Sequence, residues 1–466
     1  MDKKDIMPFH LFHHYGNHYV INIERMQASP INKITAETLN MIVNEPEMSL
    51  PFEIEENFKK LGLISEDREK KENIVKKEPV PIVYMYLFLT QSCNLKCIYC
   101  YGDGGEYGTG GSLEEETAFQ AVDWFIKKAG KMRKIHIGFF GGEPFLNFSL
   151  MKAVVEYAKK RTKEMGKEVA FFAASNATLL DDEIITFIKE QSISVMVSFD
   201  GPKDIQDAQR PYANGQGSYD STVPKIKKLL AAVPETPGHS VLVGNTDPQL
   251  VKDAMQEIGF AKVTISPASL SLFTEEPAKK NPARDTQTVL QALEQEAEAW
   301  LRLIQSKDSE ALKSLKAKSG LYGLYRGMVS LLHNSKRPHF CGAGRGLVGV
   351  SVTGDVYLCH RFVGREEYKL GSVFENDLNR EEYLKSPITC NQICVNCFAR
   401  YYCAGGCKHD NLSSCGSIAT PSEDMCRLRC RELELAATII CNLTPEDKAF
   451  LVEEQIIAPK PCPLDF

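Results

Sequence analysis

Between residues 82 and 305 the chain alternates short apolar runs with longer amphipathic stretches. The runs at 83–90, 134–140, 168–174, 193–199, 239–244 and 261–266 have strand length and are rich in Val, Ile, Phe and Ala. The stretches at 113–130, 147–164, 181–190, 219–232, 247–258 and 285–306 carry apolar residues at helical spacing. Such a succession of βα units predicts an α/β fold with a parallel sheet. Right-handed crossovers would curl that sheet into a partial (β/α)6 TIM-like barrel over 82–306. Barrels of this kind keep their sites at the C-terminal mouth of the strands.

A cysteine triplet falls in the loop after the first of these strands. TQSCNLKCIYCY places Cys93, Cys97 and Cys100 at C-x3-C-x2-C spacing just after Val83 to Leu89. Thiolates are the usual protein ligands of iron–sulfur clusters, and three of them leave one iron of a four-iron cube open. Structural zinc is the rival, but it takes four protein ligands, and no fourth Cys or His lies close by. The chain has 15 cysteines, with none between Tyr101 and Phe340. Nine crowd into 341–426, at 341, 359, 390, 394, 397, 403, 407, 415 and 426. The N-terminus, MDKKDIMPFH, has no apolar signal segment, so a cytoplasmic setting and metal binding are expected rather than disulfides.

The flanks read differently. Residues 1–66 form a small winged-helix-like module: HLFHHY and HYVINIE about a Gly16-Asn17 turn, a helix near Thr35 to Asn44, and a second over Phe52 to Lys60. Ser49 is a candidate cap for that second helix, and Gly62 a stop. His10, His13 and His14 read as alternating strand positions, not a metal tract. The module is either a structural cap or a docking element whose sheet edge accepts a peptide strand. A charge-dense linker, 67–81, precedes the barrel. A Lys- and Gly-rich connector, 307–338, follows it. The cysteine-rich region, 339–430, has few long apolar runs, as in a fold held by metal. An apolar helix and a Pro-rich tail, 431–466, end the chain. The net charge of −6 argues against a general nucleic-acid or membrane-surface binder.

The triplet, with Tyr99 before its third cysteine, resembles the loop of radical S-adenosylmethionine (SAM) enzymes. That resemblance gives Cys93, Cys97 and Cys100 the catalytic cluster, whose open iron chelates SAM. It implies cofactor contacts further on. Gly141-Gly142-Glu143-Pro144 resembles the family's GGEP segment at the SAM amino group. Ser175-Asn176 occupies the place of a polar turn, with Ala177 where relatives have glycine. Ser198 and Asp200 are implied ribose partners, Arg210 a carboxylate partner, and Ile265 a neighbour of adenine.

The second cysteine set reads Cys341-x12-Gly354-x4-Cys359, then Cys394-x2-Cys397-x5-Cys403-x3-Cys407, then Cys426. A zinc ribbon is the rival reading and rarely needs seven cysteines. The pattern resembles the SPASM domain of peptide-modifying radical SAM enzymes, which carries two auxiliary clusters. The resemblance implies three [4Fe-4S] clusters in all. Cys394, Cys397, Cys403 and Cys426 would hold the outer auxiliary one, and Cys341, Cys359 and Cys407 the inner. Relatives have a fourth inner ligand just before the position of Cys341, where this chain has Asn334-Ser335-Lys336. An open inner iron is implied, with His339, His360, Cys390, Cys415 and Cys430 as alternative ligands. The spare cysteines, Cys441 and Cys462 included, otherwise read as buried small apolar residues.

The segments FFGGEPFLNF, GSYDSTVPK, CGAG, GDVYLCHRFVG and CFARYYCAGGC, with the N-terminal module, resemble thioether-forming maturases of ribosomally made peptides. These include the six-cysteine-peptide and other ranthipeptide maturases and the quinohemoprotein amine dehydrogenase maturation enzyme. The implied activity is oxidative crosslinking of a cysteine sulfur to a carbon. The implied partners are a precursor peptide, its leader held by the N-terminal module, and a reductant such as flavodoxin or ferredoxin. The alternatives are carbon–carbon linkage, epimerisation, formylglycine formation, or a non-catalytic metal- and peptide-binding protein.

Overall fold

The computed structural model describes residues 6–44, 52–64, 80–268, 271–273, 286–318 and 323–457. The expected Ser49 cap, most of the linker, the Pro-rich tail and Cys462 lie outside these residues.

The N-terminal module is a three-stranded antiparallel meander, β1 (Phe9–His14), β2 (Asn17–Asn22) and β3 (Gln27–Ile31), followed by α1 (Lys33–Asn44) and α2 (Phe52–Lys60). Its first turn is Tyr15-Gly16, one residue earlier than expected. Both residues take positive φ, 47° and 75°, matching the twist of the strands they join. The third strand was not expected; its sequence, QASPI, carries a proline tolerated only at an edge. Alternation sets the two faces. Phe9, Leu11, Val20 and Ile31 pack with Leu39, Ile42 and Phe58 in the module's own core. Phe12, Ile21 and Ala28 pack into the main core instead. The sheet is thus covered on both sides.

The six expected strands are all present: β4 (Tyr84–Thr90), β5 (Lys134–Gly141), β6 (Glu168–Ser175), β7 (Ser194–Ser198), β8 (Gly238–Leu242) and β9 (Val263–Pro267). They pair in parallel in chain order. Their crossovers carry α3 (Glu115–Lys128), α4 (Phe148–Glu164), α5 (Asp182–Gln191), α6 (Lys203–Gln209), α7 (Tyr219–Ala232) and α8 (Pro248–Ile258). Short α6 was not expected; it is seven residues long and mostly polar.

The sheet does not stop at β4. Strand β10 (Leu347–Val350) pairs in parallel with it, from Leu347 against Tyr84 to Val350 against Leu87. Then β11 (Asp355–Tyr357) and β12 (Lys369–Ser372) continue antiparallel, giving a nine-stranded sheet in the order β12-β11-β10-β4-β5-β6-β7-β8-β9. The start of the cysteine-rich region is therefore an extension of the β4–β9 sheet.

Helices α9 (Thr286–Gln305), α10 (Ser309–Lys318) and α11 (Leu324–Leu332) follow β9, so the expected connector is largely helical. Beyond β12 come several one-turn helices, then α12 (Lys408–Cys415), α13 (Glu423–Cys441) and α14 (Pro445–Glu453). Helix α13 runs unbroken across the boundary expected at 430, capped by the Ser422 side chain on the Met425 amide. No helix among the described residues is long and apolar enough to cross a membrane.

Candidate active site

The C-terminal ends of β5 to β9 line a cavity of about 680 Å³, with the triplet loop over it. Gly141, Gly142 and Glu143 follow β5, Ser175 and Asn176 end β6, Ser198 ends β7, and Ile265 lies on β9; all reach the cavity, as do Tyr99 and Arg210. Cys93, Cys97 and Cys100 line one end of it. Cys407 and Arg361 line another part of the same chamber.

The two glycines are dictated by a close approach. A Cβ on Gly141, at φ +134°, would stand 1.9 Å from the Thr90 carbonyl oxygen, and one on Gly142 would stand 2.1 Å from that of Ser92. The Gly142 and Glu143 amides donate to those same carbonyls, at 3.1 and 3.0 Å. The GGEP turn is thereby held directly against the loop that carries the triplet.

Glu143 is wholly buried and accepts from the Ser175 hydroxyl (3.0 Å), the Asn176 amide (2.7 Å) and the Phe145 amide (3.2 Å). Burial pushes its carboxyl up to about 7, and the three donors pull the other way. It ties the turn after β5 to the turn after β6. In that second turn Ala177 adopts φ +61°, the conformation glycine would take, with its amide on the Ser175 hydroxyl. The polar turn forms without the glycine.

Asp200 does not reach the cavity and is fully buried. Its oxygens accept from the Tyr99 hydroxyl, Arg210, the Ser240 hydroxyl and the Val241 amide. A ribose contact is replaced by an internal clamp. Burial alone would lower the pKa of Arg210, but the Asp200 carboxylate beside it outweighs that and keeps it charged.

Hydrogen-bond donors face the triplet sulfurs. The Leu95 amide (3.5 Å) and Asn176 Nδ2 (3.7 Å) point at Cys93 Sγ, and Arg210 Nη1 (3.9 Å) at Cys97 Sγ. The Gly102, Gly104 and Gly105 amides face Cys100. Burial pushes Cys93 up to about 12 and Cys97 up to about 11, so the free thiols hold their protons. Donors aimed at sulfur favour the thiolate, the form that binds iron. Cys407 and Cys359 of the inner set have the same character. Arg361 Nη1 lies 3.4 Å from Cys407 Sγ, and the Arg361 amide faces Cys359. Burial raises Cys359, and Cys407 and Cys341 beside it raise it further. In the outer set the Ala399 and Gly405 amides face Cys397 and Cys403. Among the described residues no three His, Cys, Asp or Glu side chains converge on one point that a single ion would fill. Within each set the thiols are close enough to act on one another, Cys93 with Cys97 and Cys100, Cys359 with Cys407 and Cys341, and Cys394 with Cys403, Cys397 and Cys426, and grouped thiolates are the donor type an iron–sulfur cluster takes.

The remaining cysteines divide. Cys390 and Cys415 are exposed rather than buried. Cys430 lies against Cys397 of the outer set, not near the inner one. His339 is buried and His360 partly so, each with Nδ1 unpartnered, and desolvation pushes both down to about 3. Sequence reasoning missed His239 and Ser266, paired at 3.1 Å on the cavity wall, and Arg361, which is paired with Asp410 at 2.9 Å. For His239 and Ser266 the available signal was a polar residue inside an apolar strand; Arg361 lies in a one-turn helix after β11 and gave none.

Two histidines of β1, His10 and His14, are docking contacts, whereas His13 is exposed. His10 stacks on Phe398 with ring centroids 3.5 Å apart and bonds Glu434 at 2.9 Å; His14 meets Thr438 and Glu294. Glu24, after β2, accepts from Arg400 (2.5 Å) and the Tyr401 hydroxyl (2.9 Å). The module is seated on the loop between Cys397 and Cys403.

A model of the Radical SAM superfamily matches residues 87–258. An uncharacterized protein of Methanocaldococcus jannaschii is 27% identical over 320 residues, 68% of this chain and 96% of that protein. The serine-type anaerobic sulfatase-maturating enzyme of Bacteroides thetaiotaomicron is 23% identical over 72% of this chain and 84% of its own length. The mycofactocin maturase of Mycolicibacterium smegmatis is 24% identical over 68% and 76%. Among solved structures, native anSMEcpe with bound AdoMet superposes with a TM-score of 0.62 at 19% identity, over 77% of this chain and 98% of that one. Streptococcus suis SuiB bound to S-adenosylmethionine gives 0.51 at 13% identity, over 91% and 99%. These two likenesses show the fold.

Proposed function

Starting from a chain with a radical SAM domain and with peptide maturases among its relatives, we propose that it joins a cysteine sulfur to a carbon within a precursor peptide. The observation that carries this reading is the single chamber lined by both Cys93, Cys97 and Cys100 and by Cys407. A carbon exposed to the first centre and a sulfur held at the second would meet inside it.

Cys93, Cys97 and Cys100 would hold the first cluster, which with bound SAM supplies a 5′-deoxyadenosyl radical that takes a hydrogen atom from carbon. Cys341, Cys359 and Cys407 would hold the inner auxiliary cluster, supplying a site for a thiolate and an acceptor for the surplus electron. Cys394, Cys397, Cys403 and Cys426 would hold the outer one. The chain's own part is positioning. Glu143, Ser175 and Asn176 fix the polar wall under the triplet, and Asp200 holds Tyr99 and Arg210 toward the cavity. Ser198 and Ile265 give the wall a hydroxyl and an apolar face for a nucleoside. Arg361 bridges Cys407 and Asp410 at the far end. The leader of the peptide would add a strand to an edge of the β1–β3 sheet, whose faces are both covered.

The test is product mass after anaerobic turnover with a short cysteine-rich precursor peptide, a chemical reductant standing in for flavodoxin or ferredoxin. A thioether removes two hydrogens and consumes one free thiol per link. Loss of hydrogens with every thiol retained would instead mean carbon–carbon linkage, and an unchanged mass would mean epimerisation or no reaction. Loaded protein should hold about twelve irons per chain.

A further inference from the structure

The outer cysteine set has one thiol more than a cube can use. Cys394, Cys397, Cys403 and Cys426 account for its four irons, yet Cys430 Sγ lies 4.0 Å from Cys397 Sγ. Both late cysteines belong to α13, and their spacing of four residues puts them one turn apart on one face. The helix itself is anchored beside the cysteine loop. Glu432, fully buried, accepts from the Tyr402 hydroxyl at 2.7 Å, from Arg429 at 2.6 Å and from the Gly323 amide at 2.8 Å. Tyr402 directly precedes Cys403, so the turn carrying Cys430 cannot withdraw without breaking this knot. The far side of Cys430 opens on a second cavity of about 410 Å³ between α9 and α13, separate from the shared chamber.

We propose that Cys430 is a second ligand for the outer auxiliary cluster, interchangeable with Cys426. The exchange is electron-neutral: the Cys430 thiolate takes the iron as Cys426 leaves it, and the proton that Cys430 gives up is taken by the departing Cys426 thiolate. The inference rests on the outer cluster's being present, which the unsubstituted chain tests first. If it held only about four irons, the cluster assignment would fail, not the exchange.

The experiment uses the full chain, reconstituted anaerobically, as Cys426→Ala and Cys430→Ala. Iron per chain is measured, and the free thiols are alkylated with iodoacetamide and mapped by mass spectrometry. Each single variant is expected to keep its full iron. In loaded Cys426→Ala, Cys430 is expected to resist alkylation and to become reactive once a chelator strips the cluster. Loss of about four irons in either single variant overturns the proposal. So does a Cys430 that stays fully reactive in loaded Cys426→Ala. The SAM-dependent change in the first cluster's electron paramagnetic resonance signal reports whether each variant has folded.

Discussion

The Tyr99 hydroxyl donates to Asp200 Oδ2 at 2.6 Å, joining the triplet loop to the end of β7. The same carboxylate holds Arg210 Nε at 3.0 Å and is wholly buried. Removing one partner of a buried charge pair leaves the other uncompensated, at a cost of about 3–5 kcal/mol. Asp200→Asn is therefore expected to destabilise the chain by that amount in urea titrations and to weaken SAM binding. A loss below about 1 kcal/mol would mean that water or another group already satisfies Arg210.

Gly142→Ala should act on the first centre alone. Its methyl would meet the Ser92 carbonyl, a backbone atom of the triplet loop that has no freedom to retreat. The expected result is loss of about four irons and of SAM cleavage, with the remaining irons kept. Full iron retention would show that the loop can shift.

The buried thiols set opposite pH trends for the loaded and unloaded protein. With Cys93 raised to about 12 and Cys97 to about 11, iron binding must expel protons, so loading is expected to strengthen as pH rises through the neutral range. In the unloaded chain the same shifts work the other way. Above the ordinary thiol value of 9.0 the unfolded chain has lost protons that the folded one keeps, so stability falls as pH climbs toward 11 and 12. Iron titrations and denaturant midpoints across pH would reveal both slopes.

Glu24→Ala is expected to loosen the N-terminal module. Burial alone would raise this carboxyl, but hydrogen bonds from Arg400 and Tyr401 outweigh it and hold it below the usual 4.5. Its contribution is thus complete above 4.5 and lost as pH falls through its lower folded value. Hydrogen bonds to a charged group contribute about 1.5–3 kcal/mol each. The variant should show faster amide exchange in β1 to β3 with no change in β4 to β9. Uniform exchange across both would count against a docked module.

What the sequence made legible follows from periodicity and spacing. The six parallel strands announced themselves because each is a short apolar run followed by a helical one. The cysteine sets were equally plain, since ligands within one loop keep fixed separations. Pairings between distant segments were not. Nothing in Leu347 to Val350 says that it will lie beside Tyr84 to Leu87, and QASPI hides a strand behind its proline. Asp200 looked like a ligand contact because strand-end carboxylates often are. Only the convergence of Tyr99, Arg210, Ser240 and Val241 on it marks it as internal. Cys430 read as a spare residue because its neighbour, Cys397, is thirty-three positions away in the chain.

The parallel ladder between β10 and β4 has a consequence for how such a chain can evolve. Cys93 follows one of these two adjacent strands, and Cys359 follows the hairpin partner of the other, β11. The interval between the two cysteine-bearing segments is therefore counted in backbone hydrogen bonds. A shift of one residue in that pairing would turn every side chain of β10 to the opposite face. The C-terminal region is accordingly not a cassette that recombination could exchange freely. New substrates would have to be met by changing the chamber wall, while the gauge between the two cysteine-bearing segments is inherited unchanged.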